Sequence, residues 1–308
     1  MIDLSKSSID FLKSKYIAFI ASVILILLSI GLFFLNGLNF GIDFKGGTLI
    51  EIETQNKIEI SQVRSSLNSL SLGDIQVQEF GSDKNLLIRI EQQQGGDQIQ
   101  QNILEIVKQK LTNDISETIN FRRTEVVGPK VSGELIQSGI IAILVAVFAM
   151  LIYIWLRFEW QFSLGAVIAL LHDVILTIGV FCFTQLEFNL PIIAAILTIV
   201  GYSMNDTVVV YDRVRENLRK FRSKEITSLL NLSINETLSR TIVTSVTTLL
   251  ALVSLYIFGG EVIKGFTFAM IWGVLVGTYS SIFVAAPLLT YLDVKREWNT
   301  TTAVDSTK

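Results

Sequence analysis

"NLPIIAAILTIVGYSMNDTVVVYDRV", residues 189–214, begins as an uncharged apolar run, then admits an aspartate, Asp206, before the chain turns basic. About 20 predominantly apolar residues span a bilayer as a helix, so 190–211 reads as a transmembrane segment. Five more runs of this kind lie at 16–35, 135–156, 162–183, 241–258 and about 265–290. The clustering carries this reading. A hydrophobic fraction of 50% over 308 residues is ordinary for a soluble protein. The expected fold is a polytopic α-helical membrane protein with six transmembrane helices. The first run has about 20 residues, longer than the 7–15 residue core of a signal peptide, and no A-x-A site follows it. It is therefore expected to be a retained anchor.

Other features exclude functions. A net charge of -3 gives no argument for nucleic acid. The single cysteine, Cys182, allows neither an intramolecular disulfide nor a CxxC metal site. No G-x-x-x-x-G-K-[ST] loop is present, and "GGEVIKG" (259–265) lacks both its spacing and its Lys-Ser/Thr pair. If the protein does work, a partner or an ion gradient supplies the energy.

Lysine and arginine set the orientation. They occur at Lys6, Lys13 and Lys15, at Arg157, and at Arg213, Arg215, Arg219, Lys220, Arg222 and Lys224. They recur at Lys295, Arg296 and Lys308, whereas the short loops 184–189 and 259–263 carry none. Both tails, 1–15 and 291–308, and the basic loop 212–239 are expected on the cytoplasmic side. The basic run 213–224 reads as a positive-inside anchor on anionic lipid. Trp155 and Trp160 flank the short loop after the second span, as interfacial aromatics do.

Residues 37–134 must then lie on the far side. "TLIEIET" (48–54), "DIQVQEF" (74–80), "NLLIRIE" (85–91) and "SETINFRRTEVV" (116–127) read as strands, with Gly81–Lys84 as a turn. Helical spacing marks 58–70 and 98–111. The order βαββαβ is the ferredoxin-like α+β pattern. The domain shows no Ser-His or Cys-His arrangement, so a binding or docking module is expected, not an enzyme. The remaining segment, 135–290, holds five spans.

Ionisable residues inside spans are expensive and face a bundle interior, a pathway or a partner. Four stand out: His172 and Asp173 in the third span, Asp206 in the fourth and Arg240 at the start of the fifth. Steps of three or four from Asp206 pass through Ala195, Thr198, Tyr202 and Val209 or Val210. From Arg240 they pass through Thr244, Thr247, Thr248 and Ala251, and from Asp173 through Ala166, Ala169 and Thr177. Such small and polar stripes suit close interhelical packing. Asp206 lies roughly 8 Å inside the cytoplasmic boundary at 1.5 Å per residue, which makes Arg240 its nearest partner in depth. A static ion pair between the two is the competing reading. A charged Asp near a helix centre costs about 2.5–3.5 kcal/mol. Moving one charge through 100 mV is worth about 2.3 kcal/mol. Because these are comparable, gradient-driven protonation could bias a conformational equilibrium. His172 reads as a hydrogen-bonded packing residue. With no further His or Cys nearby, His172-Asp173 is not expected to hold a metal. "GVLVG" (273–277) matches G-x-x-x-G in the last span.

Together, "NFGIDFKGGTLIEIE" (39–53), "VVGPKVSGEL" (126–135), "LLHD" (170–173), "GYSMNDTVVVYDRVREN" (201–217) and "LSRTIVTSVTTLLAL" (238–252) resemble the SecF type of the SecD/SecF family of protein-export membrane proteins. That family belongs to the resistance-nodulation-division superfamily. The resemblance covers nearly the whole chain in order. It implies a multi-pass protein of the bacterial inner membrane with both termini cytoplasmic and 37–134 periplasmic. Its implied partners are SecD, the SecYEG translocon, unfolded polypeptide in transit and the lipid bilayer. It implies no cofactor, the proton as coupling ion, and late, ATP-independent steps of export driven by the proton-motive force. It assigns proton coupling to Asp206 and Arg240; Asn205, Tyr202, Thr244, His172 and Asp173 are candidate supporting groups. Gly41, Ile42, Asp43, Phe44, Gly46 and Gly47 match the family signature, here with Lys45 where Thr is common, and are expected to make a tight backbone path into the domain. Two rivals remain: a half-size exporter of small molecules or lipids, and a passive translocon scaffold.

Overall fold

The computed structural model describes residues 9–93, 97–115, 118–292 and 294. The tail cations Lys6, Lys295, Arg296 and Lys308 lie outside the described residues, as does the start of the predicted 116–127 strand. Among the described residues six helices are long and apolar enough to cross a membrane. They are α1 (Lys15–Leu35), α5 (Pro129–Arg157), α6 (Trp160–Thr184), α7 (Leu190–Lys220), α8 (Ile226–Phe258) and a last span that opens with α9 (Lys264–Ser280). The last span continues through a π turn, Ser281–Ala285, into α10 (Ala286–Leu288).

More than half of the apolar windows of α6 and the last span is buried within the chain, against 11% for α5 and for α8. The interior is thus α6, α7 and α9, with α1, α5 and α8 outside. Small residues set the approach. A Cβ at Gly273 would run into Ile199 of α7, and one at Gly277 would sit 3.0 Å from the Ser203 Cβ. The G-x-x-x-G step therefore faces α7, where bare backbone lets two helices meet. Gly179 of α6 likewise faces Ser29 of α1.

The π turn has a visible cause. Pro287 lacks an N–H and its ring crowds the carbonyl four residues back, so regular α-hydrogen bonding cannot run through this turn. The Tyr211 hydroxyl donates to the Ala285 carbonyl at 3.0 Å, so that acceptor is satisfied from α7.

The basic segment expected as a loop is mostly helix. α7 runs on to Lys220 and α8 starts at Ile226. Beyond the apolar stretch, polar pairs hold this hairpin: Asn217 donates to Ser233 (3.0 Å) and Glu236 (2.7 Å), and Arg157 holds Asp212 at 2.7 Å.

The external domain is a four-stranded antiparallel sheet in the order β2-β3-β1-β4, with strands β1 (Gly47–Glu53), β2 (Ile75–Phe80), β3 (Ser82–Ile90) and β4 (Asn120–Val127). Helices α3 (Ile60–Asn68) and α4 (Asp97–Asp114) cover one face. This is the ferredoxin-like order. Ile50 and Ile52 point into that core with Val63, Leu67, Ile88, Val107 and Leu111. Their neighbours Leu49 and Leu87 point the other way, toward the bundle, with Ile42. The β2–β3 turn is tighter than the four residues expected. Gly81, at φ +79°, turns the chain alone, and Ser82, Asp83 and Lys84 join β3.

The stem from α1 to β1 is more than a backbone path. It contains a one-turn helix, α2 (Ile42–Lys45), then Gly46 and Gly47 at φ +72° and +117°. A Cβ on Gly47 would strike the Ile90 carbonyl. The stem also pairs with the α6–α7 loop. Phe40 and Phe188 form a parallel bridge, with Gly41 N–H to Phe188 O at 2.9 Å and Phe188 N–H to Asn39 O at 2.8 Å.

Candidate functional site

Two buried carboxylates lie in the bundle interior. Asp173, on α6, accepts from Ser203 of α7, from Ser280 at the end of α9 (2.7 Å), and from His172 Nδ1 (2.8 Å) in the tautomer that protonates that nitrogen. Asp206, on α7, accepts from Thr241 of α8 (2.6 Å) and from Ser281, the first residue of the π turn. Consecutive serines of one span thus serve two acids on two other spans. All these donors are at most 2% exposed, and Asp206 is 8% exposed.

A hydroxyl can donate to a carboxylate or accept from a protonated acid by rotating its O–H. Each serine also has a second acceptor on its own helix: Ser280 lies 3.1 Å from Gly277 O, and Ser281 lies 3.0 Å from Thr278 O. When the acid takes up a proton, the serine proton can turn to that carbonyl. The site is therefore built to hold either protonation state of Asp206 with no buried polar group left stranded, which is the costly alternative.

The other expected residues divide. Tyr202 is half-buried and its hydroxyl reaches Ser245 Oγ at 3.4 Å; Ser245 in turn bonds Thr278 at 2.8 Å. His172 is buried and stacks on Tyr279, and its Nε2 has no hydrogen-bond partner. Asn205, Arg240 and Thr244 are exposed in this chain. Arg240 is close enough for its charge to act on Asp206, but the ion pairs among the described residues do not join the two. The direct partner is Thr241, one residue on. The inward face of α8 is Thr237, Thr241 and Ser245, and the stripe of Arg240, Thr244 and Thr247 faces out. Adjacent positions on a helix differ by about 100°, enough to swap a buried face for an open one. Thr244 bonds only its own helix, to the Arg240 and Thr241 carbonyls.

The helical stripes traced from Asp173, Asp206 and Arg240 do not include Ser203, Ser280 or Ser281, and the one from Arg240 passes one residue beside Thr241. The adjacent pair Ser280-Ser281 in an apolar span was the available signal. Among the described residues no three His, Cys, Asp or Glu side chains gather as metal ligands would.

At the outer end of the bundle the signature residues have definite partners. Asp43 Oδ2 accepts from the backbone N–H of Leu190, the first residue of α7, at 2.9 Å. Arg89 of β3 forms an ion pair with Glu187 of the α6–α7 loop. Burial pushes the Glu187 carboxyl above its ordinary range; Arg89 opposes the rise, Asp43 adds to it and Arg123 opposes it. Beside these groups a cavity of about 310 Å³, lined in part by Asp43, Arg123, Glu125, Glu187 and Lys264, separates the sheet from the bundle.

Six helices long and apolar enough to cross a membrane, two buried acids served by hydroxyls, and one ferredoxin-like domain suit a membrane-transport protein. Residues 106–295 match the family model described as protein export membrane protein SecD/SecF, C-terminal, and residues 31–58 match the SecD/SecF GG motif. The chain belongs to the SecD/SecF family of protein-export membrane proteins. It is 47% identical over 292 residues to the protein translocase subunit SecF of Rickettsia bellii, covering 95% of this chain and 96% of that one. Against the SecF subunit of Rhodobacter capsulatus it is 46% identical over 303 residues, covering 94% and 91%. Among solved structures, SecDF of Thermus thermophilus, a translocon-associated membrane protein, superposes with a TM-score of 0.84 at 33% identity. That match covers 94% of this chain and 39% of that one. SecDF in its super-membrane-facing form gives a TM-score of 0.68 at 34% identity, covering 92% and 38%. The chain thus spans about two fifths of each SecDF chain.

Proposed function

We propose that this chain is the SecF-type subunit of a protein translocase, the half of a SecD/SecF pair that turns proton uptake at Asp206 into motion of the external domain. The observation that carries the reading is the reversible hydroxyl shell of Asp206, made by Thr241 and Ser281. Proton binding there neutralises a carboxylate costly to hold in the membrane as a charge, frees Ser281 to turn to its own helix, and alters the packing of α7 against α8 and the last span. The open face bearing Asn205, Arg240 and Thr244, continued by the exposed apolar side of α8, suits a second bundle, that of SecD. Arg240 would then tune Asp206 from the seam between the halves. With the basic end of α7 in the cytoplasm, the domain at 47–127 stands in the periplasm, where moving it against SecD would hinder the backsliding of unfolded polypeptide emerging from SecYEG.

The test is Asp206→Asn in vesicles holding the SecD partner and the translocon. Export stimulated by a proton gradient is expected to fall at least tenfold, with ATP-driven export in the absence of a gradient retained. Gradient-stimulated export at the wild-type level, with the complex intact, would instead favour a passive scaffold.

A further inference from the structure

The signature around Asp43 has a more specific task than a tight turn. Helix α7 is preceded by Asn189, a residue type that ordinarily caps a helix by accepting from its first free N–H groups. Here Asn189 makes no side-chain cap bond, and its Oδ1 is buried without a hydrogen-bond partner. Asp43 holds the Leu190 N–H instead, from 147 residues away. An acid also suits the positive end of a helix. The helix has given up its local cap for one supplied by the stem of the external domain.

Around this bond the stem and the 185–190 segment are fastened repeatedly. Asn39 Nδ2 donates to Gln185 O at 2.9 Å and Gln185 Nε2 to Gly37 O at 3.1 Å. The backbone bridge joins Phe40 to Phe188, and Arg89 pairs with Glu187. Phe40, Phe44 and Phe181 pack their rings around Phe188. A Cβ at Gly41 would meet Glu187 Oε1, so the stem backbone lies directly against this loop side chain. Most of these links grip the loop. The Asp43 carboxylate is the stem side chain that bonds the first residue of α7 itself.

We propose that Asp43 is a positioning residue that couples α7 to the external domain: by capping Leu190 it makes the stem and the outer end of α7 one mechanical unit, so displacement of the helix that carries Asp206 reaches the base of the sheet. The inference rests on the proton-driven reading above and names the joint through which that reading operates.

The experiment uses the full chain with its SecD partner and the translocon in vesicles. It compares Asp43→Ala, Asp43→Asn and Asp206→Asn. Asparagine keeps a side-chain oxygen that can accept from Leu190; alanine does not. Asp43→Ala is expected to lower the gradient-stimulated increment of export about tenfold while export without a gradient is unchanged. Asp43→Asn is expected to restore at least half of that increment. Spin labels on Glu105→Cys of α4 and Val262→Cys, before α9, report the joint directly. The gradient should change their separation in the wild type and in Asp43→Asn, and leave it fixed in Asp43→Ala. If Asp43→Ala exports and moves like the wild type while Asp206→Asn loses the increment, the coupling role is wrong and the proton reading stands. If Asp43→Asn fails as badly as alanine, capping is not what the residue supplies, and the proposal falls. If Asp206→Asn behaves as the wild type, the underlying reading fails and the joint has nothing to transmit.

Discussion

The external domain and the membrane bundle both bury apolar side chains, but they differ in the polar groups they bury among them. The domain packs Ile50, Ile52, Val63, Leu67, Ile88, Val107 and Leu111 between its sheet and its helices, and keeps its ion pairs, such as Arg122–Glu53 and Lys110–Asp114, near the surface. The bundle also buries Asp173, Asp206, His172 and hydroxyls from all six spans. In water, apolar burial is what stabilises a fold. In lipid it discriminates little between one packed helix and another, because the solvent is itself apolar. The domain's interior therefore reads as stability, whereas the bundle's interior reads as specific association and switching.

The contrast can be broken by mutation. Leu111→Ala removes a fully buried side chain and should cost the domain about 2–5 kcal/mol. Faster hydrogen exchange across β1 and β3, with the bundle helices unchanged, would bear this out; equal exchange would mean the domain's core is not where its stability lies. Ser281→Ala should act in the opposite way. It leaves Asp206 with Thr241 as its one side-chain donor, a loss of about 1–3 kcal/mol to the charged form. Gradient-stimulated export should fall several-fold at an unchanged yield of folded complex. A stability loss with export per complex intact would make that serine a packing residue.

The smallest effect concerns the seam between the two regions. The Glu187 carboxyl is raised by burial, so the docked state holds its proton to a higher pH than the unfolded chain does. Its contribution to docking is fully present at low pH and is lost as pH rises through the raised value. Backbone amides of 185–190 should thus exchange progressively faster, beyond the intrinsic rate, as pH rises through that window. Glu187→Gln should flatten the trend. An opposite slope would mean that the Arg89 pair outweighs burial.

Much of the architecture could be read from residue patterns. Long uncharged runs identify spans because lipid tolerates little else, and period-two alternation in "TLIEIET" places Ile50 and Ile52 on one face. The donors around Asp206 were harder to see. A serine or threonine in an apolar helix most often bonds its own backbone, as Thr247 does to Val243 O. Beyond its adjacency to Ser280, Ser281 carries no mark that separates it from that use until the π turn is seen to aim it. The face of α8 misled for a related reason. Its outward side meets lipid or a partner and so has much the same composition as its inward side, leaving periodicity without contrast. Nothing local in "LEFNLPII" shows that Asn189 is idle, because the capping group comes from the other side of the first domain.

That idle asparagine also has a consequence for the order of assembly. The stem with Asp43 is synthesised 147 residues before the amide it holds. The stem stays unfastened until α7 has been synthesised, and the start of that helix is capped only when the early segment closes onto it, so docking of the domain follows synthesis of the third and fourth spans.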